Sequence, residues 1–516
     1  MAELSVEYTR DAPELMAFFE KPARALFDAA PEVAAWDKNL TSALATYQET
    51  IGSGGTFKGN EAVIITGQQP AIFTGPLYTI YKAVTAILLA RKLEERFDKP
   101  CVPVFWVGSE DHDFEEARTA HFLTKNHGPL SLRYTPSADV EGLPMYRVPL
   151  EESLRGFIDQ ATEESIGGAF RDETKNFLHE TLAASNSLAE WTTRVLAGLF
   201  RDTPLVFFSP DLPAARAAGA AIIAREIAEP LRSTALLNEA GNRLSRIGFP
   251  PQVTKGETEC NFFLEVGVQR RKVLFEKKQF VIPEEELTYT GDEMQALLKE
   301  SPERFSPNVA LRCIVQQHLF PVAAYVAGPG ELAYWAQLKP VFAHFDQPMP
   351  IVYPRAQCAL TTIKLNKIRT KLGLDLDHLF EQPDALFERV LRNASNNPAY
   401  TFVSDERKKI ETALQELAEG VRPHDKTAAS MAEGLLKETL PKLDRIEKTI
   451  LQADASKSDA ARKQLERLCN SLAPLRKPQE RVYTIISFLF EHGHDLIGRL
   501  LEETNVESFE MNEIEL

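Results

Sequence analysis

The chain has 516 residues, 44% of them hydrophobic and 26% charged, with a formal net charge of −16. That length exceeds one simple core and predicts two or three domains. The acidic balance argues against a nucleic-acid backbone as the main partner, since phosphate binding needs a basic surface, while leaving room for a local basic pocket for a nucleotide or a carboxylate; no run approaches the ~20 apolar residues of a membrane span.

The opening, MAELSVEYTRDAPEL, is acidic and carries no signal-peptide core, so a cytoplasmic address is expected. Residues 1–60 read as mostly helical, and Ser53-Gly54-Gly55 reads as a flexible linker, since its spacing does not give G-x-G-x-x-G. No Walker A sequence occurs. Val63-Ile64-Ile65 is short, apolar and β-branched, as a buried parallel strand should be. Gly67-Gln68-Gln69-Pro70 breaks it, Thr74 is placed as an N-cap, and Gly75-Pro76 starts a helix. Leu77, Ile80, Tyr81, Val84, Ile87 and Leu88 form the buried face of that helix, with Tyr78, Lys82 and Thr85 on a neighbouring stripe. Val102 to Val107 is a second strand, ending in Ser109-Glu110-Asp111-His112-Asp113. The segment is one parallel β-α-β unit with both polar clusters at the same sheet edge, where open α/β folds bind ligands.

From about 130 to 345 strands and helices alternate. Leu205–Phe208 and Phe320–Val326 are further buried strands, and Leu332 to Phe345 reads as one aromatic-rich helix. Asn261–Val266, Arg271–Glu276 and Gln279–Ile282 suggest a small, partly antiparallel insertion. After Arg355 apolar stripes follow heptad-like spacing: Thr361, Leu365, Ile368, Leu372; Ile410, Ala413, Leu414, Leu417; Leu436, Leu440, Leu443, Ile450; Ala461, Leu465, Leu468, Leu472. Gly420–His424 and Asp454–Ser458 read as turns of this helical arm, Pro441 as a kink, and 478–503 as a last helix pair. The expected class is α/β, a Rossmann-like parallel-sheet core over 1–375 with insertions at about 130–200 and 245–292. A helical coiled-coil arm over 376–475 and C-terminal helices over 476–516 that return to the core complete it. An apolar seam on such an arm needs a partner, and a second copy of the chain is the simplest one.

The chemistry concentrates at the strand ends. Gln68 and Gln69 carry amides able to bind a carboxylate or a sugar hydroxyl; the plain alternative is a turn. Glu110, Asp111, His112 and Asp113 supply three carboxylates and an imidazole within four residues. They suit general acid–base work or a divalent cation, and equally an acidic helix N-terminus. No second His has ligand spacing, so no metal is assigned. Asn308, Arg312 and Arg355 are candidates for binding substrate, the arginines by clamping a carboxylate or by pairing with internal acids. Gly328, Glu331 and Tyr334 sit at another strand end and helix start. The five cysteines, Cys101, Cys260, Cys313, Cys358 and Cys469, form no C-x-x-C pair and read as free thiols.

Several longer strings resemble the bacillithiol biosynthesis cysteine-adding enzymes, the BshC family of cysteine ligases. They are T-G-Q-Q-x-x-x-x-x-G-P-L-Y-x-x-Y-K from Thr66 to Lys82, and V-P-V-F-W-V-x-S-E-D-H-D-F-E-E from Val102 to Glu116. S-P-N-V-x-L-R at Ser306, G-P-G-E-x-A-Y-W-A-Q-L-K at Gly328, M-P-x-x-x-P-R at Met349 and Q-E-R at Gln479 complete the set. The resemblance implies a Rossmann-like core with connecting insertions, a coiled-coil arm and a homodimer. It also implies an amide bond between the carboxyl of L-cysteine and the amine of glucosaminyl-malate. The fold it implies is similar to class I aminoacyl-tRNA synthetases. Where those carry H-x-G-H this chain reads Gly75-Pro76-Leu77-Tyr78, and it has no K-M-S-K-S loop. That departure speaks against ordinary ATP adenylation; ATP or another nucleotide stays a candidate energy source, and no cofactor is assigned. On this reading Asp111 or His112 takes the amine proton and Asp113 belongs to the same group. Lys82 and Arg312 offset charge, while Gln68, Gln69 and Tyr78, beside Gly75 and Pro76, orient substrate. The competing readings are a nucleotide-binding dimeric scaffold and a nucleotidyl transferase with another acceptor.

Overall fold

The computed structural model describes residues 2–394, 398–455 and 459–516. The chain divides into two compact units, Met1–Ala359 with Glu480–Ile514, and Leu360–Gln479 with Glu515–Leu516.

The first unit is built on a five-stranded parallel sheet. Its strands are β1 (Ala62–Gln68), β2 (Cys101–Val107), β3 (Val206–Phe208), β4 (Val322–Ala327) and β5 (Ile351–Pro354). Their spatial order is β3-β2-β1-β4-β5, with β1 in the middle. Nearly every residue of β1 and β2 is buried, as expected when both faces are covered. The pairing runs in step from Ala62↔Cys101 to Gln68↔Val107, so the two polar clusters do emerge at one edge. The chain builds outward from β1 to β3, then returns to place β4 on the other side of β1. That reversal is a topological switch point, and the crevice beyond its strand ends is where doubly wound folds bind ligands.

Helix α1 (Tyr78–Phe97) joins β1 to β2 and starts later than the sequence suggests. Phe73, Thr74 and Gly75 all have positive φ (53°, 68° and 70°), so Thr74 belongs to a tight bend and caps nothing. Such angles are costly for non-glycine residues and persist only when surroundings fix them. Here the Phe73 carbonyl accepts from Thr484 Oγ1 at 2.7 Å, and the Leu77 amide donates to the Tyr483 carbonyl at 2.8 Å. The Ser53-Gly54-Gly55 stretch is likewise packed and not a loose linker: a Cβ on Gly54 would fall 1.8 Å from the Arg201 carbonyl oxygen.

The 245–307 region forms a five-stranded antiparallel sheet. Its order is Phe305–Pro307, Glu259–Val266, Gln269–Glu276, Gln279–Ile282 and Leu287–Tyr289. Helix α2 (Val309–Leu319) follows its edge strand directly. The expected helix over 332–345 is two pieces, Pro329–Trp335 and Lys339–His344. The C-terminal pair is Ile486–His492 and Asp495–Glu503.

The second unit is helical. Leu365, Ile368 and Leu372 of Ile363–Leu372 form one apolar core with Leu465, Leu468 and Leu472 of Asp459–Leu472. Thr361 lies in a strand before that helix, not on its stripe. Pro398–Val421 and Lys426–Ala455 are long helices packed on each other, joined where a turn was expected, with Pro441 inside the second. Of the other expected turn, residues 456–458 lie outside the described residues, and Asp454 and Ala455 still belong to the helix.

Arg355, just after β5, grips Glu480 with two parallel hydrogen bonds, Nη1 to Oε2 at 2.8 Å and Nη2 to Oε1 at 2.5 Å. Their side chains are 3% and 2% exposed. Removing one partner strands the other charge in a dry site, which costs about 3–5 kcal/mol. Glu480→Ala is expected to lose that much stability, read from urea unfolding followed by circular dichroism.

Candidate active site

The end of β1 is organised by one buried ammonium. Lys82, one turn into α1, donates from Nζ to the Gly67 carbonyl at 2.7 Å and to Gln68 Oε1 at 2.9 Å, and it ion-pairs with Glu331. An ammonium has three donors, and all three are taken. Glu331 follows β4; it accepts from Tyr325 Oη at 2.5 Å and from the Gly328 amide at 2.8 Å. Burial pushes the Glu331 carboxyl up, but Lys82 and these hydrogen bonds outweigh it and hold the group below the ordinary glutamate range. Burial lowers Lys82, with Glu331 pulling the other way. Because Lys82 occupies Oε1 of Gln68, the Gln68 amide nitrogen is left as the donor. Gly67 permits this geometry, since a Cβ there would sit 2.8 Å from the Trp106 carbonyl oxygen.

The four residues after β2 separate into different jobs. Glu110 is buried against Arg216 at 3.2 Å; burial raises its carboxyl, with Arg216 and Arg270 opposing. Asp111 is half-buried and accepts the Asp113 amide at 3.1 Å. His112 meets Arg270 through Nδ1 at 3.1 Å, and burial followed by the Arg270 charge lowers its pKa. Asp113 is exposed and caps the Phe114–Ala117 turn by accepting the Glu116 amide.

The antiparallel sheet and α2 supply the opposite wall. Arg270 stacks on Phe263, 3.9 Å from guanidinium carbon to ring centroid. It also donates to Ser306 Oγ at 2.8 Å and the Pro307 carbonyl at 2.7 Å. Asn308 caps α2 through Oδ1 and ties to Asn261 Oδ1 through Nδ2 at 2.7 Å. Arg312, on the first turn of α2, donates to Tyr334 Oη at 2.7 Å. Among the described residues Arg270, Arg312 and Arg481 form no ion pair. The outer nitrogens of Arg355 are engaged by Glu480 and the Ala356 carbonyl.

These groups surround one cavity of about 630 Å³, within the range of small-molecule sites. It gathers Gln68, Gln69, Tyr78, Lys82, Glu110, Asp111, His112, Asn308, Arg312, Gly328, Glu331, Tyr334 and Arg355 from the sequence expectation. Gly75, Pro76 and Asp113 are not in its lining. Lys82 is engaged by three partners, Asp113 caps a turn outside the lining, and Arg355 pairs with an internal acid, one of the two readings its sequence position allowed. The lining adds Lys255, Phe263 and Arg270, to which the sequence assigned no site role, and Arg481, which it named only within the Q-E-R string.

The family model described as "Bacillithiol biosynthesis BshC, N-terminal Rossmann-like domain" matches residues 2–356, and "Bacillithiol biosynthesis BshC, C-terminal coiled-coil domain" matches 359–516. A protein of Salinibacter ruber described as "Putative cysteine ligase BshC" is 31% identical over 437 residues, covering 85% of this chain and 80% of its own. A protein of Symbiobacterium thermophilum with the same description is 30% identical over 489 residues, covering 91% and 88%. One solved structure, described as a putative arginyl-tRNA synthetase from Campylobacter jejuni, aligns over 89% of this chain and 97% of its own. At 10% identity and a TM-score of 0.23 that likeness is too slight to bear on the site. The chain belongs to the bacillithiol biosynthesis BshC family.

A carboxyl held below its ordinary value adds stability at neutral pH that is lost as pH falls through the folded value. Glu331→Gln leaves Lys82 without its carboxylate and is expected to cost about 3–5 kcal/mol at pH 7. The gap to wild type should shrink as acid protonates Glu331. Urea midpoints of both proteins at pH 7 and at about pH 3.5 check this; a constant gap would count against an ionised pair.

Proposed function

We propose that this member of the BshC family joins the carboxyl of L-cysteine to the amine of glucosaminyl-malate, forming bacillithiol in the cavity beyond β1, β2 and β4. The observation that carries the reading is a concave site at the switch point, lined by Arg270, Arg312 and Arg481, of which Arg312 and Arg481 form no ion pair among the described residues. In a chain of net charge −16 such a focus of positive charge is a local device for anions. Malate brings two carboxylates, and an activated carboxyl brings phosphate.

An amine does not displace oxide from a carboxylate, so the cysteine carboxyl needs activation. A phosphoryl or nucleotidyl donor such as ATP would supply it as co-substrate. The amine nitrogen then attacks the activated carbonyl carbon, the C–N bond forms, and phosphate or nucleotide leaves with the electrons of the C–O bond. The proton lost by nitrogen passes to Asp111, the half-buried carboxylate at the cavity wall with no ion-pair partner among the described residues. The Gln68 amide nitrogen, Arg312 and Arg481 hold the malate carboxylates, and Tyr78 and Gln69 flank the sugar.

The arm is proposed to join two copies of the chain. Phe402, Leu417, Met431, Leu435 and Ile446 are exposed on its two long helices, apolar side chains that a second copy would cover.

Two measurements test these statements. The purified chain with cysteine, glucosaminyl-malate and ATP should yield the mass of both substrates less one water. Asp111→Asn should reduce that product by roughly 10²–10⁴-fold with an unchanged circular dichroism spectrum. Undiminished product would place the proton elsewhere, and pyrophosphate release only with another acceptor would favour a nucleotidyl transferase. Sedimentation should report a dimer that Met431→Glu with Leu435→Glu dissociates; a wild-type monomer at all concentrations would end the arm assignment.

A further inference from the structure

His112 is surrounded by groups of both signs. Asp111 and Asp113 flank it in sequence, while Arg270 and Lys272 face it from the antiparallel sheet. Its ring also packs edge-on against Phe263, centroids 5.3 Å apart. The decisive contact is Arg270 Nη1 to His112 Nδ1 at 3.1 Å. A guanidinium has five N–H donors and no acceptor. Nδ1 must therefore present its lone pair, and a neutral imidazole then carries its one proton on Nε2. A charged ring would aim an Nδ1–H at an Nη1–H.

Arg270 has no freedom to turn away. Nε is fixed on Ser306 Oγ, Nη2 on the Pro307 carbonyl, and the guanidinium plane lies on the Phe263 ring. Strands Glu259–Val266 and Phe305–Pro307 pair directly, with Ser306 opposite Phe263, so the two supports of Arg270 are themselves locked together. Among the described residues nothing hydrogen-bonds His112 Nε2, and the residue lines the cavity.

We propose that Arg270 is a positioning residue that fixes His112 as the neutral Nε2–H tautomer, so that His112 meets the substrate as a hydrogen-bond donor and not as a proton acceptor. The tautomer follows from geometry alone. Its catalytic consequence rests on the ligase reading: a fixed N–H donor steadies the oxygen that gains negative charge when the amine adds to the carbonyl. The proton of the amine then belongs to Asp111, and the two residues divide donor and acceptor work between them.

The test reads the ring directly. The full chain is labelled with ¹⁵N-histidine, and long-range ¹H–¹⁵N correlation spectra are recorded from pH 8 to pH 6. The His112 signals are identified among the ten histidines by their loss in His112→Gln. Wild type should show an unprotonated Nδ1 and a protonated Nε2 across this range. Arg270→Met should move both nitrogens toward the tautomer average and let the ring take a proton as pH falls. A protonated Nδ1 in wild type at pH 7 would overturn the proposal, as would unmoved shifts in a folded Arg270→Met protein. If that variant does not fold, the wild-type spectrum decides alone. For the catalytic part, glutamine can set an amide N–H near the place of Nε2 but accepts no proton. His112→Gln should retain at least about tenfold more product than His112→Ala, a difference of about 1.4 kcal/mol in barrier. Equal loss in both would assign His112 as the base. Absence of product from wild type would remove the ligase reading and leave the tautomer measurement standing.

Discussion

The carboxyl edge of the sheet depends on the Lys82 ammonium. Burying a charge in this interior is costly unless it is paired and hydrogen-bonded throughout. Lys82 meets that condition only where the end of β1 and the residues after β4 come within reach of one atom. Its three acceptors are a main-chain carbonyl of β1, the side chain that closes β1, and the carboxylate of Glu331. Satisfying the ammonium therefore fixes the width of the crevice at the switch point and the direction in which Gln68 presents its amide. Its full set of partners makes Lys82 a framework for the strand ends around which the cavity's arginines lie.

Arginines line the same crevice, and a second buried pair holds one of them. Arg355 gives its outer nitrogens to Glu480, a residue more than a hundred positions away that returns with the C-terminal segment. The same segment supplies the Tyr483 and Thr484 contacts that hold the strained bend ahead of α1. It also supplies Arg481 to the cavity lining. One short stretch thus neutralises one arginine, holds the helix that carries Lys82 and Tyr78, and adds a cation. In a chain of net charge −16 this gathers several arginines in one concave place.

Much of this was legible along the chain. The β-α-β unit, its parallel register and the polar clusters at one edge follow from apolar runs of strand and helix period, and the structure has them where those runs fall. What sequence reading cannot weigh is partnership at long range. Asp113 and His112 are adjacent and equally promising as letters, yet one caps a turn and the other faces an arginine from a different sheet. Arg270 lies just ahead of the strand expected over Arg271–Glu276, and only its hydrogen bonds to Ser306 and the Pro307 carbonyl show that it points into a wall. Gly75-Pro76 marks the bend correctly but sits outside the cavity, since the helix begins only at Tyr78. The arm stripes were readable as helices, and two of them proved to face each other in a local core.

The antiparallel insertion is therefore not an ornament on a Rossmann-like sheet. Asn261 holds Asn308 by both main chain and side chain, Asn308 caps α2, and α2 carries Arg312. Glu226, buried and raised by that burial, accepts from Ser233 at 2.7 Å and from the Asn261 amide at 3.2 Å, closing the network from behind. The insertion thus reaches the cavity twice: through Arg270 directly, and through Asn261 by way of the helix cap that aims Arg312. A buried polar network of this kind holds its geometry only while every member is satisfied. A substitution at Asn261 therefore acts on the position of Arg312 in the cavity wall without lining the cavity itself, which ties the insertion to the geometry of the cavity as closely as the strand ends.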